Sequence, residues 1–356
     1  MNNSFTHPEF ADHERVVFVN DTAAGLQAII AVHNTQRGPA IGGCRMWPYE
    51  SADAALTDVL RLSRGMTYKN ALAGISSGGG KSVIIGNPRT EKTPALFRAM
   101  GAAIESLGGR YIVAEDSGTS PADMGLMAEV TSYVAGLESD SSSGDPSPST
   151  ALGVFLSIRE AVGFRFGQSS LVGVRVHIQG LGKVGFELAK LLVSDGAIVG
   201  ASDINEANCR RARDELSIRA VSNDVLLTEP CDVFAPCALG GVLNEWSIAT
   251  LNTAVIAGAA NNQLLTQEDQ ERLYNAGILY CPDYLINAGG VIDVFQRRHG
   301  GTQEDIDAGI SAIAARLKSI LTEAKSRRIS PAQVAQERAE ILINGRQNDP
   351  IPTVAA

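Results

Sequence analysis

The chain has 356 residues, 44% of them hydrophobic and 19% charged, and carries a formal net charge of −9. That length accommodates two domains of ordinary size, each with its own core. A pI near 5.2 excludes a protein built to hold nucleic acid, whose phosphates require a basic surface.

Residues 1–15 are polar, with no apolar leader segment, and no run along the chain approaches the ~20 apolar residues of a membrane span. Residues 16–20 and 26–33 read as two strands joined by a short turn. His33 has no second histidine nearby and reads as a strand residue rather than a ligand or base. Gly38-Pro39-Ala40-Ile41-Gly42-Gly43 is a glycine-rich turn into another strand, and residues 52–73 read as a helix closed by Gly74.

The stretch 65–82 places Lys69 and Lys81 near Gly78-Gly79-Gly80, with hardly a charge between them. Its glycines are expected to form a loop running into a short strand at 83–85. Gly80-Lys81-Ser82 has two readings. A phosphate-binding loop needs a glycine five residues before Gly80 and a helix after it. Ile75 stands there instead, and the residues after Ser82 are strand-like. The alternative is a pair of lysines in a water-poor cleft. One would hold a carboxylate. The other, disfavoured as a cation by burial and by its neighbour's charge, would act as a base. Two solvated surface lysines are the plainer alternative, and the apolar, glycine-dense surroundings argue against it.

A helix at 95–107 precedes a strand at 111–114 that delivers Glu115-Asp116 at its carboxyl end. α/β proteins commonly place their chemistry there, so Asp116 either moves a proton for the lysine base or caps a turn. From 138 to 148 the composition shifts to Ser, Gly, Asp and Pro, which marks a domain boundary; a helix at 149–164 comes next.

Residues 174–179 form a buried-type strand running into Gly180-Leu181-Gly182-Lys183-Val184-Gly185. Gly-x-Gly-x-x-Gly is weak alone, but here it comes after a strand and precedes a helix expected at 186–195. A second strand then ends at Asp203, 23 residues after Gly180. That order is the dinucleotide-binding fingerprint, with the acid on the adenosine ribose. A carboxylate at 203 with Ile204 beside it favours NAD over NADP. Strands at 231–238, 254–262 and 278–283 end in small residues and amides, and 304–344 is mostly amphipathic helix. The five cysteines, Cys44, Cys209, Cys231, Cys237 and Cys281, are odd in number and scattered. Neither a disulfide framework nor a metal cluster is expected, and the expected home is the reducing cytoplasm.

Taken together, Gly38 to Gly43, Arg64-Gly65-Met66-Thr67-Tyr68-Lys69, Gly78-Gly79-Gly80-Lys81, Ala114-Glu115-Asp116, Asp145 to Thr150, Gly180 to Gly185, Ala235 to Ala238, Gly258 to Asn262 and Ala288-Gly289-Gly290 resemble the Glu/Leu/Phe/Val amino-acid dehydrogenase family, in one colinear order. The resemblance implies an α/β protein of two domains with the active site in the cleft between them. An N-terminal catalytic domain would span 1–137, rejoined by a C-terminal helix at about 330–356, and a Rossmann-type NAD domain would span 138–329. Lys69 would hold the substrate carboxylate, Lys81 would activate water, and Asp116 would shuttle a proton to and from the amine. Gly42 and Asn262 would also contact substrate, whose side chain would meet Ile41, Met66, Ala114, Val291 and Val294. The NAD site would comprise Thr150, the run Gly180, Leu181, Gly182, Lys183, Val184 and Gly185, with Asp203, Cys237, Ala238 and Asn261. The implied reaction is the reversible, NAD-dependent oxidation of branched-chain L-amino acids to 2-oxo acids and ammonia. Relatives specific for phenylalanine are the alternative, and they tend to carry glycine where this chain has Ala114. A homo-oligomer without membrane or nucleic-acid partners is expected.

Overall fold

In the computed structural model, which describes residues 4–138 and 144–345, the strands form two sheets belonging to two units. The first unit contains β1 (Arg15–Asp21), β2 (Leu26–Asn34), β3 (Ala40–Trp47), β4 (Gly78–Ile85) and β5 (Tyr111–Glu115), in the order β1-β2-β4-β3-β5. β1, β2 and β4 run antiparallel, whereas β3 is parallel to both β4 and β5. Three helices cover this sheet: α1 (Ala52–Ala73), α2 (Pro94–Glu105) and α3 (Pro121–Ala128). α1 has the extent expected from sequence. The Ser51 side chain accepts from the Ala54 amide at its start, and Gly74 turns left-handed at φ 74° to end it.

Strand alternation sorts the sheet into two faces. Ile29, Ala31 and Val83 pack with Ala55, Val59 and Leu60 of α1. Ile30, Cys44, Met46, Ile84, Tyr111 and Val113 pack with Phe97, Met100 and Met127 from α2 and α3. Lys81 alternates with the second set, and so belongs to the α1 face.

The glycines before Lys81 do not form the expected loop. Gly78, Gly79 and Gly80 are the first residues of β4, and all are buried. A Cβ on Gly79 would lie 2.1 Å from the Thr67 backbone nitrogen in α1. One on Gly80 would lie 2.8 Å from the Tyr111 ring. Glycine serves here as a strand residue without a side chain, so that a helix and a tyrosine can press against both faces. Gly80 leads into strand and not helix, which disposes of the phosphate-loop reading.

The second unit begins with α4 (Ser147–Phe166), continues through β6 (Arg175–Gln179), α5 (Lys183–Ser194), β7 (Ile198–Ser202), α6 (Glu206–Leu216), β8 (Arg219–Ala220) and β9 (Val233–Pro236), and completes its sheet with β10 (Val255–Ile256) and β11 (Leu279–Tyr280). The strand order is β11-β10-β9-β6-β7-β8, every pair parallel. That is the doubly wound order in which the chain reverses direction between β6 and β9, and ligands bind at such reversals. α5 starts three residues before the expected 186, because Gly182 is its N-cap.

The boundary expected at 138–148 lies partly on residues 139–143, outside the described residues. The first unit runs through Asp145 and takes in Val294–Thr302 and, among the described residues, 339–345. Within it Arg298 donates to the carbonyls of Val134 and Ser132, and Arg37 to that of Leu342. Among the described residues no helix is long and apolar enough to cross a membrane.

The contact between Gly79 and α1 is directly testable. Gly79→Ala must push backbone against backbone, so it should cost about 1–3 kcal/mol and lower the melting temperature by several degrees. Thermal unfolding at the wild-type temperature would show that α1 does not approach β4 this closely.

Candidate active site

Lys81 lies in the middle of β4 with its side chain only 4% exposed, and its Nζ stands 2.9 Å from Oδ2 of Asp116. Asp116 comes directly after the last residue of β5. Its Oδ2 also accepts from Arg45 Nε, 3.1 Å away on β3. Arg45 reaches back with Nη1 to Asp58 Oδ2 on α1 at 2.9 Å, and the Tyr49 hydroxyl donates to that same oxygen at 2.6 Å. Three adjacent strands and one helix thus hold a line of alternating charge.

Gly43 makes the line possible: a Cβ there would sit 2.6 Å from Asp116 Cβ and 3.1 Å from Lys81 Nζ. The turn after Asp116 is tied down separately. The Asp116 amide donates to Thr119 Oγ1, which donates to the Cys44 carbonyl. The Asp116 carboxylate is engaged by Lys81 and Arg45, and the Ser117 backbone of the same turn adds to their pull. Burial opposes its charge, but the Lys81 and Arg45 cations outweigh burial and hold the carboxyl well below its ordinary range.

Lys69, four residues before the end of α1, is 8% exposed. Ile41 and Ala114 are buried, and Met66 Cγ would lie 3.3 Å from a Cβ on Gly42. Gly42 itself is dictated by packing, since a side chain there would overlap the Gly80 carbonyl. Val294 groups with this unit, and its Cγ2 lies 3.9 Å from the Cβ position of Gly136. Val291 and Asn262 belong to the second unit. His33 is a strand residue whose Nδ1 pairs with Thr67 Oγ1 at 2.8 Å.

In the second unit the three fingerprint glycines have three separate reasons. Gly180 turns at φ 101°, and a Cβ there would meet the Ala238 amide at 2.9 Å. A Cβ on Gly185 would meet the Gly180 carbonyl at 2.0 Å, so α5 packs directly on the turn. Nothing lies within 4 Å of a Cβ on Gly182, and no side chain caps α5 there. Open space over an uncapped helix N-terminus fits a dinucleotide diphosphate. Leu181 donates its amide to Asp203 Oδ2 at 2.6 Å, and Asn205 donates to Oδ1 at 2.7 Å. The acid thus borders the glycine turn with acceptor capacity remaining.

Cys237 donates its amide to the Gln179 carbonyl, and burial pushes its thiol up to about 12, which suits packing and not nucleophilic attack. Asn262 holds a left-handed φ of 51°. Its neighbour Asn261 accepts at Oδ1 from Asn287 Nδ2, which also donates to the Ala259 carbonyl. Thr150 lies in the first turn of α4, where its hydroxyl donates to Pro146 and faces Gly290 closely.

A family model described as Glu/Leu/Phe/Val dehydrogenase, dimerisation domain, matches residues 13–133. A second, described as Glutamate/Leucine/Phenylalanine/Valine dehydrogenase, matches residues 207–339. Leucine dehydrogenase of Bacillus subtilis (strain 168) is 45% identical over 335 residues, covering 94% of this chain and 92% of its own. The chain belongs to the Glu/Leu/Phe/Val dehydrogenase family. Other members lie nearly as near. Phenylalanine dehydrogenase of Bacillus thermotolerans is 42% identical over 344 residues, 95% of this chain and 90% of its own. The crystal structure of L-tryptophan dehydrogenase from Nostoc punctiforme superposes with a TM-score of 0.77 at 40% identity, covering 95% and 97% of the two chains.

In this dehydrogenase the residues that sequence reasoning passed over are partners of those it named. Arg45 sits in an expected strand, but nothing in a linear pattern pairs it with Asp116, 71 positions away. Thr119, Tyr111 and Asn287 were equally silent.

The ionised Asp116 gives the site a pH signature. Its folded pKa is depressed, so the stability it contributes is complete above the unfolded value of ~3.9 and is lost as pH falls toward the folded one. Asp116→Asn leaves Lys81 buried beside a neutral amide and should cost about 3–5 kcal/mol near neutrality. In urea unfolding at a series of pH values, the gap between wild type and variant should narrow below about pH 4. A gap independent of pH would mean that Asp116 is not held ionised by its neighbours.

Proposed function

We propose that this dehydrogenase catalyses the reversible NAD-dependent oxidative deamination of branched-chain L-amino acids: leucine, and also valine and isoleucine. The buried Lys81–Asp116 pair is the observation that carries the reading. A base and a proton carrier in contact, shielded from water, are what the chemistry of an amine leaving an α-carbon requires. The leucine dehydrogenase relatives support the substrate class.

In this reading Lys69 holds the α-carboxylate, which fixes the α-carbon. NAD⁺, when bound, accepts the α-hydride. Before the hydride leaves, Asp116 takes a proton from the α-ammonium; Lys81 then takes a proton from water as it adds to the resulting iminium. Asp116 returns its proton to the amine, and ammonia leaves as the carbonyl forms and the hydroxyl proton passes to solvent. The open N-terminus of α5 over Gly182 would receive the diphosphate, and Asp203 would accept from the ribose hydroxyls and repel a 2′-phosphate. Within the first unit Ile41, Met66, Ala114 and Val294 would meet the substrate side chain. All are apolar, so a polar side chain such as glutamate finds no partner there. The dimerisation domain named by the matching family model supports a homo-oligomer. The five free cysteines support a reducing, cytoplasmic home.

Two experiments test this. Lys81→Ala should cut turnover by ~10²–10⁴, as expected for a lost general base, with NAD binding by fluorescence titration nearly unchanged. A variant keeping more than about a tenth of wild-type turnover would remove Lys81 from the mechanism. A steady-state screen of amino acids with NAD and NADP should find leucine, valine and isoleucine good with NAD. Phenylalanine should be about tenfold poorer or worse in kcat/KM, because one methyl is worth ~1–3 kcal/mol. Ala114→Gly should shift that ratio toward phenylalanine. A preference of the wild type for phenylalanine would make the phenylalanine-specific alternative correct, and equal use of NADP would overturn the role of Asp203.

A further inference from the structure

Asp116 faces two cations rather than one. Lys81 Nζ and Arg45 Nε approach the same oxygen, Oδ2, at 2.9 and 3.1 Å. Whatever share of the carboxylate's charge Arg45 takes is withdrawn from Lys81. Arg45 is itself divided, because its Nη1 is paired with Asp58, which also receives the Tyr49 hydroxyl. The side chains are sheltered, with exposures of 4% at Lys81, 16% at Asp116, 15% at Arg45 and 25% at Asp58. Coulomb interactions at these distances are therefore screened far less than on an open surface.

We infer that Arg45, steadied by Asp58 and Tyr49, is a positioning residue that apportions the charge of Asp116 and so sets the pH at which amino-acid oxidation turns on. The inference rests on the proposed roles of Lys81 and Asp116. The members of this line come from different elements. Lys81 comes from β4, Arg45 from β3, Asp58 from α1, and Tyr49 from the segment after β3. Cys44, on the opposite face of β3, has its thiol pushed up to about 12 by burial and stays neutral. Burial likewise pushes the Tyr49 phenol upward, with Asp58 adding to it, so the phenol remains a donor.

Charge alone determines the signs. Removing the Arg45 cation makes the surroundings more negative, so every neighbouring group holds its proton to higher pH. Removing the Asp58 anion does the reverse. The rising limb of kcat against pH should thus move in opposite directions in the two variants, whichever group it titrates. Arg45 is in contact with Asp116, so Arg45→Gln should move the limb up by about one pH unit. Asp58→Asn, one residue further along the line, should move it down by a smaller amount. Arg45→Lys retains the charge and should restore the position of the limb even where kcat stays low. NAD binding, measured by fluorescence titration, should be alike in all of them.

The experiment is the kcat–pH profile of the full-length wild type and the three variants with leucine and NAD. Limbs unmoved in Arg45→Gln, or moved in the same direction in Arg45→Gln and Asp58→Asn, would overturn the inference, since a purely structural role predicts no such opposition. Where Arg45→Gln fails to fold, the acid shift of Asp58→Asn decides alone, and its absence overturns the inference. Failure of the underlying reading looks different: the wild type itself would lack amino-acid oxidation, or Lys81→Ala would retain it.

Discussion

A buried ammonium can exist only where an anion and a satisfied hydrogen-bonding shell come with it, and in the first unit this requirement shapes the backbone. Lys81 reaches Asp116 because β3, lying between them, carries no side chain at Gly43. β3 can lie that close to β4 because Gly42 leaves room for the Gly80 carbonyl, and α1 can settle over β4 because Gly79 leaves room for Thr67. The glycines are buried strand residues whose missing methyls are the space in which the charges meet. They provide proximity and not flexibility.

The second unit uses the same residue type differently. Only Gly180 among its fingerprint glycines needs a left-handed backbone. Gly185 is an instance of close packing like Gly79, while Gly182 alone leaves open space. Sequence spacing cannot distinguish these three requirements, yet it identifies their combination, because strand, turn, helix and acid must recur together for a diphosphate to be held.

This contrast explains what was legible in the chain. α1 was readable to its ends because Ser51 and Gly74 are local signals, and the parallel sheet of the second unit was readable because each strand-turn-helix unit announces itself. The glycines of β4 were misread as a loop. Three glycines in a row lack any periodic signal, and only the neighbours that fill their missing side chains make them a strand. Lys81 stood out because an isolated charge in an apolar, glycine-dense run is conspicuous, and Asp116 because it stands at the carboxyl end of a strand. Arg45 and Asp58 did not, because arginine at a strand end and aspartate on a helix are ordinary, and their meaning lies wholly in a long-range pairing.

Tyr111 shows how the opposite face supports the site. β3 and β4 pair at Ile41 with Gly79, and pairing resumes at Cys44 with Ser82. Between those points the Tyr111 hydroxyl lies 3.0 Å from the Gly42 carbonyl and 3.1 Å from that of Gly43, with Ser82 Oγ also at 3.1 Å. A single hydroxyl thus holds both carbonyls where the β3–β4 pairing is interrupted, directly beneath the glycine that separates Lys81 from Asp116. Burial raises the phenol's pKa well above its ordinary value, so it remains a donor into alkaline solution. The phenol that ties the strands together thus stays a neutral donor beneath the charged line, and its hydrogen bonds do not lapse as the pH rises through the ordinary range of a phenol.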